Sequence, residues 1–91
     1  MRTFSRTTQF KKDVKRAEKR GTDLTRLRTV LDTLIEGKSL PSEYLDHPLR
    51  GIFTGSRDCH IEPDWILIYT LSEKEMHVRF ERTGTHSDLF R

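Results

Sequence analysis

Arg57-Asp58-Cys59-His60-Ile61-Glu62-Pro63-Asp64-Trp65-Ile66-Leu67-Ile68-Tyr69 is the stretch whose reading decides the fold. It reads as two strands hinged at Glu62-Pro63-Asp64, because proline presets the backbone angle that a tight turn needs and aspartate suits the neighbouring position. Before the hinge the side chains alternate, with Arg57, Cys59 and Ile61 on one face and Asp58, His60 and Glu62 on the other. After it, Trp65 to Tyr69 is apolar on both faces, the pattern of a central strand covered on each side. A polar row bearing an acid and an imidazole is thus mounted beside the most buried strand, and rigid placement of titratable groups is what a catalytic site requires. An ordinary hairpin with a solvated outer face shows the same pattern, so this stretch alone does not decide function.

Outward from the hairpin, the carboxyl side turns at Ser72-Glu73-Lys74-Glu75 and enters a last strand, Met76 to Arg82. There Met76, Val78 and Phe80 alternate inward and His77, Arg79 and Glu81 outward. On the amino side, Ile52-Phe53 reads as a short strand and Thr54-Gly55-Ser56 as a turn. The connector Lys38 to Leu49 contains Pro41 and Pro48, which do not suit a helix interior, and presents His47.

Two helices precede the connector. Ser5, Thr7 or Thr8 can cap the first, where Phe10, Val14 and Ala17 share a face. Gly21 ends it, Thr22 or Asp23 starts the second, and Leu24, Leu27, Leu31, Leu34 and Ile35 form an apolar stripe stopped by Gly37. The short joint makes an antiparallel helical hairpin, and Arg2-Thr3-Phe4 can add a strand at the front. The expected fold is therefore α+β, a helical hairpin packed on a small, mainly antiparallel sheet, with residues 1–91 as a single domain.

Ninety-one residues support one modest core. Cys59 is the only cysteine, which fits a reducing cytoplasm, and no apolar run is long enough to span a bilayer. The net charge of +3 conceals an asymmetry: residues 1–28 carry ten Lys or Arg against three acids, whereas residues 29–91 carry seven against eleven. Lys11-Lys15-Lys19 and Lys12-Arg16-Arg20 form two like-charged stripes at four-residue spacing, which repel by a few tenths of a kcal/mol per pair, roughly, until a partner supplies negative charge. Nucleic acid and an acidic protein segment are both candidates, and a solvated helix face is the plain alternative.

The four histidines match no compact metal-ligand spacing, and one cysteine cannot build a structural zinc site. Phosphate-cradling glycine loops are absent, so no metal or nucleotide cofactor is expected. Cys59 and His60 are adjacent on a strand and point to opposite faces, so Cys59 reads as core rather than as half of a nucleophile pair. What remains is a set of His, Asp and Arg side chains beside a basic surface. RNA cleavage needs little more: a base to take the 2′-hydroxyl proton, an acid for the departing 5′-oxygen, and a cation for the charge that develops on phosphorus. Trp65 and Phe90 can stack on an unpaired base, although Trp65 reads equally well as core.

Three segments together carry a resemblance: Asp46-His47-Pro48-Leu49-Arg50-Gly51, the hairpin from Arg57 to Tyr69, and Arg79-Phe80-Glu81-Arg82-Thr83-Gly84-Thr85-His86-Ser87-Asp88-Leu89-Phe90. They resemble the YafQ-type toxins of the RelE/ParE superfamily in type II toxin–antitoxin systems. The resemblance implies a ribosome-dependent endoribonuclease that cuts messenger RNA in the ribosomal A site without a metal and is silenced by a cognate antitoxin. By position it implies His47, His60, Asp64, His86 and Arg82 as catalytic, with His86 as proton donor. It implies Asp58, Trp65 and Phe90 as residues lining the site. The basic helix, through Lys11, Lys12, Lys15 and Arg16, would then bind RNA, or an acidic antitoxin segment. Two other readings are a non-catalytic ParE-like toxin that obstructs a topoisomerase, a branch that lacks the His60/Asp64/His86 arrangement, and a basic nucleic-acid-binding module. Strict alternation also places Arg82 inward with Phe80, so its exposure requires the strand to end before Thr83.

Overall fold

The computed structural model describes residues 1–90. A five-stranded sheet runs in the order β1 (Thr3–Arg6), β5 (His77–Gly84), β4 (Trp65–Ser72), β3 (Arg57–Glu62), β2 (His47–Pro48). Only β1 and β5 pair in parallel; the other neighbours are antiparallel. Helices α1 (Thr8–Lys19) and α2 (Thr25–Ile35) form the expected hairpin, and a short α3 (His86–Leu89) follows β5. The α+β expectation holds.

Local chemistry sets the helix ends. The Thr7 hydroxyl accepts from the amide of Phe10 at 2.9 Å and caps α1. Gly21 and Gly37 adopt φ of +80° and +82°, the left-handed conformation that closes each helix at little cost. The second helix starts later than expected, at Thr25, whose amide donates to Asp23.

The core lies between the helices and one face of the sheet. Phe10, Leu27, Val30 and Leu34 pack on Cys59, Ile61, Trp65, Leu67, Tyr69, Val78 and Phe80. Phe10 stacks at 5.8 Å on Phe80, and truncating such a side chain to alanine typically costs about 3–5 kcal/mol. On the other face Ile66 and Ile68 are covered by Leu89 of α3, with Leu49 and Phe53 alongside. The central strand is buried on both sides, as its composition requires.

Four expectations change. Gly51–Phe53 is a turn of 3₁₀ helix, not a strand, and Ile52 is almost fully exposed. Met76 does not point inward: it sits in the turn with φ +49° and is exposed, so β5 begins at His77. Ile61 is an extra residue in β3, since His60 pairs with Ile66 while Glu62 pairs with Trp65. That bulge turns Glu62 to the helix side, where it meets Arg26 at 3.8 Å. Glu81 is likewise extra in β5, because Tyr69 pairs with Phe80 and Ile68 with Arg82. The strand continues to Gly84, and it is this bulge, not a strand end, that moves Arg82 to the face opposite Phe80.

Candidate functional site

The face of the sheet away from the helical hairpin carries the polar row. Asp58 and His60 pair with Ile68 and Ile66 and therefore share their face, and Arg82 lies beyond Ile68 in the same row. The edge strand β2 places His47 opposite Asp58. Proline-bounded and two residues long, β2 belongs to a segment that the sequence suggested was only a connector. On the other side, the Pro63-Asp64 turn meets the first turn of α3. The imidazole centroids of His47 and His60 are 6.4 Å apart, and those of His60 and His86 are 5.6 Å apart. Three histidines from three separate segments thus form a continuous row.

Each end of the row has its own carboxylate. Asp64 Oδ1 accepts from the backbone amide of His86 at 3.0 Å and from His86 Nδ1 at 2.6 Å. These bonds, the amide first, hold the Asp64 carboxyl below its ordinary value. An ionised carboxylate only accepts, so Nδ1 carries the proton and Nε2 is left for other chemistry. At the far end His47 Nδ1 lies 2.7 Å from the carbonyl of Leu45, which likewise requires a proton on Nδ1. Its Nε2 approaches Asp58 Oδ1 at 3.0 Å, but off the hydrogen-bonding direction, so this oxygen has no hydrogen-bond partner among the described residues.

Asp58 is only 4% exposed. Burial raises its carboxyl above the ordinary value, while His47, His60 and His86 pull in the opposite direction and Asp46 adds to the rise. Buried polar atoms are normally paired, so an orphaned acceptor at the centre of a histidine row stands out. The geometry offers a proton-holding imidazole at one end and a reluctant carboxylate at the other.

Phe90 borders the row. It is 41% exposed, its ring is 6.3 Å from His86, and Phe53 meets it edge-on at 6.0 Å. An exposed aromatic face beside proton-transfer groups suits stacking on an unpaired base.

Other expected site residues lie elsewhere. Trp65 is on the helix side, 7% exposed, and its indole N–H donates to Thr83 Oγ1 at 3.0 Å, so it is core and cannot stack on a ligand. The Arg82 guanidinium donates to Asp13 at 2.8 and 3.2 Å, which draws it around the sheet edge toward α1. Arg16 donates to Asp13 at 3.1 Å and lies 3.6 Å from Asp88, so it joins helices rather than standing free. Lys11, Lys12 and Lys15 are exposed on α1. Among the described residues no three His, Cys, Asp or Glu side chains converge to hold a metal ion, and no helix is long and apolar enough to cross a membrane. Cys59 is buried on the opposite face and its thiol is pushed up to about 12, chiefly by burial, so it is no nucleophile for this row.

Two acids that position the site were missed in the sequence. Asp88 accepts from Arg20 at 2.8 and 3.2 Å and from the amide of Thr85 at 3.0 Å, while the Thr85 hydroxyl accepts from the Asp88 amide at 3.1 Å. This reciprocal cap starts α3, and the Thr85-His86-Ser87-Asp88 spacing was the available signal for it. Gly84 permits it, since a Cβ there would fall 2.9 Å from Asp88 Oδ2. Asp13, buried in a helix dominated by Lys and Arg, accepts from the amide of Thr83 at 3.1 Å and so closes the β5 edge beyond β1. Its helical spacing with Phe10, Val14 and Ala17 put it on the apolar face, and that was the available signal.

Comparison with known proteins follows the same outline. The family model for YafQ, the bacterial toxin of type II toxin–antitoxin systems, matches residues 2–91. The mRNA interferase toxin YafQ of Escherichia coli K12 is 53% identical over 83 residues, covering 90% of this chain and 88% of the relative. The crystal structure of YafQ from E. coli BL21(DE3) superposes with a TM-score of 0.93 at 48% identity, covering 100% of both chains. The crystal structure of the E. coli DinJ–YafQ complex matches with a TM-score of 0.92 at 49% identity, again over 100% of both chains.

Proposed function

This chain belongs to the YafQ family of type II toxins, and from that premise we propose that it is a messenger-RNA endoribonuclease that acts on the ribosome, cutting the message in the A site. The observation that carries the proposal is the His47–His60–His86 row with an ionised Asp64 behind one end and the buried Asp58 at the other.

The chemistry is general acid–base attack of a ribose 2′-hydroxyl on the adjacent phosphorus. Asp64 fixes the ring of His86 and stabilises its imidazolium, so His86 Nε2 gives the proton to the departing 5′-oxygen. The 2′-hydroxyl proton goes to the opposite end of the row, to His60 or the Asp58–His47 pair. Each proton transfer contributes roughly a hundred- to ten-thousand-fold. Phe90 stacks on a base and orients the linkage. Arg82, in the Ile68 row but tied to Asp13, lends positive charge from the edge rather than clamping the phosphate.

A cognate antitoxin restrains the toxin, as DinJ is found in complex with YafQ in the E. coli structure. Lys11, Lys12 and Lys15 provide an exposed cationic surface for ribosomal RNA or for an acidic antitoxin segment, and one polyanion excludes the other. Primer extension on messages after induced expression tests the reading. Codon-aligned cuts with the wild-type chain, absent with His86→Ala, are expected. Intact messages in growth-arrested cells would overturn it in favour of a non-catalytic toxin.

A further inference from the structure

The anchoring of His47 is the least explained part of the row. Strand β2 holds only two residues, one of them a proline without an amide proton, so its ladder is too short to fix a side chain. The preceding Leu45 has φ of +50°, a conformation unfavourable for any residue with a Cβ, and it is this turn that brings the Leu45 carbonyl to His47 Nδ1. Something must hold the segment in that shape.

Asp46 does so from the far side of the sheet. Neighbouring residues of an extended chain point to opposite faces, so with His47 directed at Asp58, Asp46 is directed at the helix-side core. There its Oδ1 accepts from the Tyr69 hydroxyl at 2.5 Å and from Arg57 Nε at 3.2 Å. Tyr69 is completely buried in the central strand and pairs in register with Arg57, so the anchor point belongs to the core. Burial and the Asp46 carboxylate both raise the Tyr69 hydroxyl, which stays a donor throughout the accessible pH range.

We propose that Asp46 and Tyr69 form a positioning clamp that reaches through the sheet edge and sets the orientation and Nδ1–H tautomer of His47. The inference rests on the functional reading above, because it assigns the clamp a purpose in that reaction. Neither residue touches the open face, so neither handles RNA directly. Releasing Asp46 lets Leu45 relax to ordinary backbone angles, withdraws its carbonyl from Nδ1, and frees the imidazole to rotate and exchange tautomers.

The test uses the full chain with ¹⁵N-labelled histidine, in wild-type, Asp46→Ala and Tyr69→Phe forms. The tautomer of each imidazole is read by NMR, and single-turnover cleavage of message on programmed ribosomes is measured beside ribosome affinity. The expected result is a mixed tautomer at His47 alone, with His60 and His86 unchanged. Cleavage should slow about tenfold, within the roughly hundredfold that a misplacement of about 1 Å can cost, while affinity stays unaltered. Tyr69→Phe retains the buried ring and decides the matter if Asp46→Ala does not fold. A His47 signal identical to wild type in the folded variants overturns the clamp, whatever the rate. A wild-type protein that leaves message uncut overturns the functional reading instead, and the tautomer measurement still stands by itself.

Discussion

The two ends of the histidine row use the same pair of residue types in opposite surroundings. Asp64 lies in an exposed turn with two hydrogen bonds from His86, and its carboxyl is held down; Asp58 is buried with an orphaned oxygen beside His47, and its carboxyl is pushed up. Solvation and hydrogen bonding, not identity, separate them. Carboxylates driven apart in this way mark a division of acid and base roles. On the reading proposed above, one end of the row gives up a proton and the other takes one.

The largest disturbance to that division is removal of the donor. His86→Ala should lower cleavage by roughly a hundred- to ten-thousand-fold with unchanged thermal stability, since the ring is exposed; a variant that still cuts would leave the row without an acid end. Asp58→Asn should cost about a hundredfold, the lower bound of one proton transfer, and should separate activity from stability. A carboxyl raised by folding contributes stability below its unfolded value of about 3.9, and that contribution is lost as pH rises through the folded value. At pH 7 the ionised Asp58 is therefore a burden on the fold, and the asparagine variant should melt at the same temperature or higher in a thermal scan. A clear drop would make Asp58 structural. Asp64→Asn, which leaves His86 in place, should slow cleavage about tenfold, the smaller end of what orienting partners cost. The mildest test is Thr85→Ala, which removes a cap worth about 1 kcal/mol. It should lower the midpoint by about 4–8 °C and impair the His86 end without altering the His47 tautomer.

Element types were legible because periodicity is local. The helical hairpin, the Pro63-Asp64 turn and the double-sided burial of β4 all follow from spacing within a dozen residues. The site was legible in part: His47, His60, Asp64 and His86 came from the family resemblance, and the residue pattern alone supported only His60 on a polar face. What could not be read was any feature set by an extra residue. Ile61 and Glu81 look like ordinary members of alternating runs, yet each reverses the faces beyond it. Trp65 was ambiguous for a related reason, since apolar residues on both faces hide which one meets the helices. The α3 helix, four residues long, is too short for a periodic signal and is announced only by its cap.

Glu81, the extra residue of β5, is held firmly by its neighbours. Its carbonyl accepts from the Thr7 hydroxyl at 2.7 Å, and its carboxylate accepts from Thr70 and Arg79 at 2.6 and 2.7 Å, so the supernumerary residue is pinned on three sides. Loss of that one codon would leave Phe80 and Arg82 adjacent and still opposite Tyr69 and Ile68, so every side chain downstream would keep its face and only the three ties would go. Among spontaneous survivors of the induced gene, in-frame deletions at this position should therefore be scarce beside missense changes at His86, because the register outlasts the residue that interrupts it.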